Sequence, residues 1–599
     1  MYQARFIVFF CFCLSMTVFA ESGHDYLDKF IKYNQWNQHL PISPTPEFLA
    51  FVDNTTPLSK KLREKWLYEL ARTKDWATYS RHYQNSPDTN LQCYQQIALY
   101  QQGHRQQAIE SAQKLWLNGS SLPKACDGLF TQLLKNNELG ESLITKRLAL
   151  ALEKHNIPLA IYLLKQYKPA RIEEIPILMA IHQNPKHIIQ LTPSKLHHAF
   201  YLYGLKRMVS ISIDQAIPLW QLAKTQQFLS HAEHQAFLAH LALYKAMRNH
   251  PDTPHWFAKV EPAFYNDILL GWQIRFALKY RQWPQVEQLI NQVEDKNNPC
   301  WQYWLARSLN AQGEKEKAMD IYRTLAATRN YYGFLASLRL KRNFSFNNER
   351  PVENNQILQP YQPFTEQIKA LYRSKQTLQA SRLLNDFASE LPKNDKSALA
   401  YWLSRELQWH EKSVYLSNNN ELNNQLSLRF PLAYQDTIIT NAKNYQIPQE
   451  LIYAIIRQES AFRDDAVSAA GAQGLMQVMP STALAVSKNK KMAYVDKKQL
   501  FSSQKNISIG VAYLQLLAKR FDKHPILMVA AYNAGPKQVS YWLKNHPPKD
   551  IDIWIETLPW HETRNYLKNV IAFYAVYQYR MQEKPDLTPF MKEFYPVKN

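Results

Sequence analysis

Glycine is scarce in this chain, with 13 residues in 599, and four of these fall between Gly471 and Gly535. A strand-rich protein needs many tight turns, and turns favour glycine. The shortage therefore argues against a β architecture. Abundant Leu, Ala, Gln and Lys point instead to an almost entirely helical protein. Cysteine is also sparse, at five residues, with no CxxC pair and no neighbouring His pairs to complete a zinc site. Acidic residues are outnumbered, 50 Asp and Glu against 71 Lys and Arg, for a formal charge of +21. Past the first twenty residues no apolar run is long enough to cross a membrane.

What is there begins with an export signal. Arg5 supplies a positive start, Phe6 to Ala20 is apolar but short for a bilayer span, and Val18-Phe19-Ala20 offers small residues for cleavage. Residues 1–20 are read as a signal peptide and Glu21 as the first mature residue, with an uncleaved anchor as the alternative. Cys11 and Cys13 lack the small-residue setting of a lipoprotein site and leave with the signal. Cys93, Cys126 and Cys300 remain. In an oxidising compartment one disulfide and one free thiol is the natural outcome. Cys93 and Cys126 are 33 residues apart, about one helical repeat, so the expected pair is Cys93–Cys126 with Cys300 reduced.

The positive charge, +20 once Arg5 is lost (21 − 1), implies an anionic partner. Secretion argues against nucleic acid and favours an acidic polymer or a lipid surface. Peptidoglycan carries free peptide carboxylates. Glycan strands are thus the expected partner, with peripheral association with the inner face of the outer membrane left open and a monomer expected. A merely solubilising surface is the alternative.

Residues 21–357 read as stacked helical hairpins. Tyr94, Leu99, Gly103, Ala108, Ala112 and Leu115 are spaced 5, 4, 5, 4 and 3, and Trp304, Leu309, Gly313, Ala318, Tyr322 and Leu325 repeat those intervals. Trp272, Arg281, Val286 and Ile290 match the same positions. A large residue anchors the first helix, glycine relieves the turn, and a small residue admits the second helix. Such units bury their apolar faces only by stacking, so a superhelix curving into a ring or horseshoe is expected, with a plain helical bundle as the alternative. A polar stretch around Asn343 to Gln359 follows, then a further helical pattern to about residue 430.

The chemistry concentrates after residue 431. Pro448 and Glu450 suit a helix start, and Leu451, Ile452, Ile455 and Ile456 give an apolar stripe. Glu459 continues that stripe at i+4 from Ile455 and i+7 from Ile452. Desolvation and the negative helix end should raise its pKa, which suits a group that protonates a glycosidic oxygen. Small residues from Val467 to Gly474 let the backbone bend back toward this helix end. Ala530-Ala531-Tyr532-Asn533-Ala534-Gly535-Pro536 reads as a helix stopped by Gly and Pro. Glu562-Thr563-Arg564 opens a long helix. His561-Glu562 is not followed by His at zinc-protease spacing, so no metal site is expected there.

Glu459-Ser460, Gly474-Leu475-Met476-Gln477, Ala531-Tyr532-Asn533-Ala534-Gly535 and Glu562-Thr563-Arg564, in this order, resemble the soluble lytic murein transglycosylases, whose catalytic domain is similar to goose-type lysozyme. Tyr331-Tyr332-Gly333-Phe334 and Arg429-Phe430-Pro431-Leu432-Ala433-Tyr434 look like further landmarks of that family. The resemblance implies an all-α protein with a helical ring domain at 21–357, a superhelical linker domain at 358–430 and a lysozyme-like catalytic domain at 431–599. His561 departs from the pattern, because a small residue commonly precedes the Glu-Thr-Arg triplet. The departure bears on sugar or peptide contacts and not on the reaction.

By position, the resemblance implies Glu459 as the sole catalytic carboxylate and Tyr532 as its support near the scissile bond. Ser468, Gln477, Met479, Asn533 and Glu562 are the implied substrate contacts, with a place in the core as the alternative for Met479 and Tyr532. The implied activity is periplasmic cleavage of the MurNAc-β-1,4-GlcNAc bond with 1,6-anhydromuramyl ends, for cell-wall turnover, without metal or other cofactor. Two alternatives stand beside it: a lysozyme-type hydrolase, and a weakly catalytic scaffold that binds peptidoglycan or proteins.

Overall fold

The computed structural model describes residues 26–494, 496–546 and 550–593. The signal read at 1–20 lies outside the described residues. Among them there is no strand, only isolated bridges joining Val467 to Gln473 and Gln473 to Val478. No helix among them is long and apolar enough to cross a membrane. The chain falls into two compact units, the first ending at Tyr265 and the second starting at Asn266.

The first unit contains the hairpin expected from the Tyr94 segment, formed by helices Thr89–Gln101 and Arg105–Trp116. Ala108 and Ala112 are fully buried, so a methyl group sets how closely the helices pack. Gly103 turns the chain at φ +90 with open space where a Cβ would stand, so left-handed backbone and not crowding selects glycine here. Cys93 and Cys126 are joined by a disulfide across 5.1 Å between Cα atoms, and both are fully buried. Cys300 is free.

The second unit opens with two more hairpins, Asp267–Lys279 with Trp283–Ile290 and Pro299–Ala311 with Lys315–Ala326. The turns between them put Arg281 at φ 53 and Gly313 at φ 91. Arg281 thus shares the left-handed backbone of the glycines it aligns with, at a cost on the order of 1 kcal/mol for a side chain with a Cβ. The second compact unit begins at Asn266, inside the segment read as helical repeats. It contains a buried charge cluster. Asp552 meets Arg307, Arg339 (3.2 Å) and the Tyr303 hydroxyl (2.7 Å). Glu556 meets Arg275 (3.0 Å), Lys568 (2.8 Å) and the Tyr332 hydroxyl (2.7 Å). These contacts tie residues 267–340 to residues 552–568.

Helices Gln362–Arg373, Thr377–Ala388, Lys393–Arg405 and His410–Ser417 follow. The last segment is built around Gln449–Glu459, with Gln435–Tyr445 and the long helix His561–Arg580 packed on it. Pro448 precedes its first turn as the N-cap. Every residue from Leu451 to Arg457 is buried, not one stripe alone, because helices cover it on more than one side. Each large aliphatic side chain withdrawn in this way contributes about 1.5–3 kcal/mol.

Candidate active site

Glu459 is the last residue of its helix and looks into an open cleft. Ser460 caps the end, and Ala461 and Phe462 then adopt φ 49 and φ 71 in succession. Two adjacent non-glycine residues in the left-handed region are strained, typically by about 1–3 kcal/mol each, and such strain gathers at functional sites. Phe462 is held there by burial, and Ser460 Oγ donates to Leu475 O at 2.8 Å. That bond joins the helix end to the Gly474–Gln477 loop.

The loop is pinned from below by Asn506. Its Nδ2 donates to Gln473 O and Leu500 O, each at 2.8 Å, and its Oδ1 accepts from Met476 N at 2.8 Å. Gly474, at φ +75, lies so close that a Cβ would stand 2.3 Å from Asn506 Nδ2 and 2.2 Å from Leu500 O. Glycine is required there for both backbone and space.

The cleft has two lobes of about 600 and 430 Å³ that share Gln458, Glu459, Ser468 and Gln477. The larger continues past Arg429, Arg457 and Asn418; the smaller past Asn533, Glu562, Asn565 and Tyr566. Glu459 therefore stands at the junction, where a chain lying through both lobes would present one linkage to it.

The Glu459 carboxyl accepts a hydrogen bond from Tyr566 OH at 2.7 Å. Its pKa is raised to about 7, first because burial penalises the charged form; the Tyr566 bond opposes this, and the nearby Glu562 charge adds to it. Part of the side chain still faces the cleft. A carboxyl poised near neutrality can give a proton and later take one back.

The structure places the expected residues as follows. Tyr532 donates to Met476 O at 2.8 Å, and the hydroxyl bonded to Glu459 is that of Tyr566. Tyr532 is still close enough for the Glu459 charge, second to burial, to push its phenol upward. Ser468 closes a tight turn, its Oγ accepting from Ala472 N at 3.0 Å. Gln477 donates its amide to Gly474 O (2.8 Å) and Ala466 O (3.1 Å), which leaves its Oε1 for a ligand. Asn533 donates to Glu562 Oε1 at 3.3 Å and accepts from Thr563 Oγ1 at 2.6 Å. Met479 is exposed at the head of helix Pro480–Lys490 and lines neither lobe.

Tyr566 and Asn506 were not singled out by the sequence. Asn506 offered a signal, a lone amide directly before the largely apolar stretch Ile507 to Ala512; Tyr566 offered none beyond its place in an apolar helix. No cluster of metal-ligating side chains occurs among the described residues.

Comparison with known proteins gives a consistent picture. The transglycosylase SLT domain matches residues 436–555, and the soluble lytic transglycosylase helical domain matches residues 557–585. The soluble lytic murein transglycosylase of Escherichia coli K12 is 29% identical over 576 residues, covering 93% of this chain and 88% of that protein. That of Salmonella typhimurium is 28% identical over 578 residues, with the same coverage of 93% and 88%. An inactive glutamate-to-glutamine mutant of the lytic transglycosylase Slt from Pseudomonas aeruginosa superposes with a TM-score of 0.80 at 28% identity, covering 98% of this chain and 97% of that one. The 70-kDa soluble lytic transglycosylase of E. coli gives a TM-score of 0.73 at 27% identity, over 95% and 94% of the two chains. The four sequence motifs, the carboxyl at the junction of a two-lobed cleft and these end-to-end similarities agree, and the chain is similar over nearly its whole length to the soluble lytic murein transglycosylases.

Proposed function

We propose that this protein cleaves peptidoglycan glycan strands at the MurNAc-β-1,4-GlcNAc bond, without hydrolysis, and leaves 1,6-anhydromuramyl ends. The observation that carries the reading is a single carboxyl, poised near neutrality and hydrogen-bonded to Tyr566, at the junction of two lobes that can hold a strand on either side.

Protonated Glu459 gives its proton to the leaving glycosidic oxygen. The N-acetyl oxygen of the substrate stabilises the positive anomeric carbon. Ionised Glu459 then takes the proton of the muramyl C6 hydroxyl as that oxygen closes on the same carbon. The hydroxyl is tethered to the reacting ring, so its effective concentration exceeds that of an arriving water. Glu459 ends protonated, ready for a further turn. Tyr566 orients the carboxyl, and Tyr532 holds the loop at Met476 against it. Ser468, Gln477, Asn533 and Glu562 contact the sugars or their substituents, with Met479 at the margin.

The same reading includes export by residues 1–20, work in the periplasm on wall turnover, and a monomeric chain needing no metal. It also keeps the division into a helical ring domain at 21–357, a linker at 358–430 and a catalytic domain at 431–599. The test is digestion of purified sacculi in ¹⁸O-water with mass spectrometry of the soluble fragments. Anhydromuropeptides, one water lighter and free of label, are expected, and the activity should survive a chelator. Labelled reducing muramyl ends would make the enzyme a hydrolase, with Glu562, the other carboxylate lining the cleft, as the first residue to suspect.

A further inference from the structure

The wall of the larger lobe holds arginines that lack acids. Arg329, Arg429 and Arg457 lie close enough that burial and then the charges of Arg329 and Arg457 push Arg429 down to about 10. Among the described residues no carboxylate forms an ion pair with any of the three. Arg329 donates to Phe346 O, Asn423 O and Asn424 Oδ1. Arg429 donates to Asn423 O at 2.7 Å and to Asn418 Oδ1 at 3.0 Å, and its buried Nε has no acceptor. Arg457 donates from Nε to Arg429 O at 2.8 Å. Its guanidinium lies 5.3 Å from the rings of both Phe430 and Phe573, and the residue is only 8% exposed.

Carbonyl groups and ring faces brace these guanidiniums but do not neutralise them. Buried charge without a counter-charge is costly and is ordinarily paired. Elsewhere in the same compact unit, Arg275 is paired with Glu556 and Arg307 with Asp552. Arg564 is also buried without an ion-paired acid, bonded to Leu558 O, but it lines no part of the cleft; Arg429 and Arg457 border the cleft that also contains Glu459. An arriving carboxylate would supply the missing charge and accept short, charge-assisted hydrogen bonds.

We propose that Arg429 and Arg457 form a carboxylate-binding subsite in the larger lobe, with Arg329 adding positive field behind them. The ligand is a carboxylate of the stem peptide carried by the glycan strand. The subsite lets the enzyme select the anionic polymer over a neutral chain of the same sugars, and it sets on which side of Glu459 the acidic substituent lies. This rests on the peptidoglycan reading above.

The test is direct binding to the full-length chain carrying Glu459→Gln, so that nothing is cleaved, in about 0.5 M salt to screen surface charge to a few ångströms. Four probes are titrated calorimetrically: peptide-bearing soluble strands, the same strands with carboxylates amidated by methylamine, amidase-stripped strands carrying only lactyl carboxylates, and an N-acetylglucosamine oligomer. Unmodified strands should bind about tenfold more tightly than amidated ones. Arg429→Gln should erase that preference and Arg429→Lys should restore part of it. Lys519→Gln, an exposed charge outside the cleft, should leave it intact. Stripped strands, whose only carboxylates are the lactyl groups freed by the amidase, should bind no better than amidated ones; tight binding of them would overturn the stem peptide as the ligand. Equal binding of amidated and unmodified strands would overturn the subsite, as would a preference that survives Arg429→Gln. If Arg429→Gln fails to fold, the comparison of ligands on the intact arginines still decides. Failure of every probe, the neutral oligomer included, would overturn the functional reading itself.

Discussion

Two glutamates in the second unit, the half-buried Glu459 and the fully buried Glu556, differ in what surrounds them. Burial alone would push both upward. Glu459 has one neutral donor, Tyr566, and remains raised to about 7. Glu556 has Lys568, Arg275 and Tyr332 around it, and their charges and hydrogen bonds reverse the burial effect and hold it well below the usual carboxylate range. One residue type, desolvated in both places, thus becomes a proton carrier at one site and a permanent anion at the other. A single helix, His561–Arg580, helps to make both. Tyr566 and Lys568 are two residues apart and so face different directions, one toward each glutamate.

The comparison is broken most severely at Glu459. Glu459→Gln keeps shape and hydrogen bonding but cannot exchange a proton, so sacculus solubilisation should fall about a hundredfold or more with an unchanged circular dichroism spectrum. Near-normal turnover would remove Glu459 from the chemistry. In the parent enzyme kcat/KM should decline as pH rises past about 7, because the first step needs the protonated form.

Glu556→Gln should act on stability instead. It leaves Arg275 and Lys568 buried without their anion, a loss of about 3–5 kcal/mol by urea unfolding at neutral pH. The pH dependences have opposite signs. Glu556 is lowered, so its contribution is present above the unfolded carboxylate pKa near 4.5 and is lost as pH falls below it. Glu459 is raised, so its contribution is intact below about 4.5 and is lost as pH climbs toward 7. Glu459→Gln should therefore gain stability relative to the parent as pH rises through that window, by on the order of 2–3 kcal/mol at most. A gain at low pH instead would contradict the assigned protonation.

Tyr566→Phe should do less. Removing the donor that opposes the upward shift should move the alkaline limb of the pH–rate profile higher and lower the maximal rate by about tenfold or less. Tyr532→Phe, which frees only Met476 O, should leave that limb in place. The smallest effect on catalysis is expected at the disulfide. Opening Cys93–Cys126, which closes a segment of 33 residues, should destabilise the first unit by about 2–4 kcal/mol while cleavage of short soluble fragments is unchanged.

Much of this was legible in the chain. Scarce glycine indicated helices, the repeated spacing located the hairpins and placed Arg281 on a glycine's backbone, and one repeat length between Cys93 and Cys126 anticipated their bond. Glu459 could be picked out because helix periodicity puts it on the apolar side of its own helix, and the four motifs then named a family. Local patterns of this kind depend on residues near one another in sequence, where backbone geometry converts spacing into direction. Tertiary structure alone decided the partners. Nothing in the spacing says that Tyr566, 107 residues on, meets Glu459, or that Arg275 and Glu556, 281 residues apart, share a buried charge. Nor could a stretch of basic residues reveal that Arg429 and Arg457 border the cleft without an acid. Whether a charged side chain is paired, orphaned or kept neutral depends on which distant elements close around it, because desolvation and Coulomb energies are set by neighbours in space.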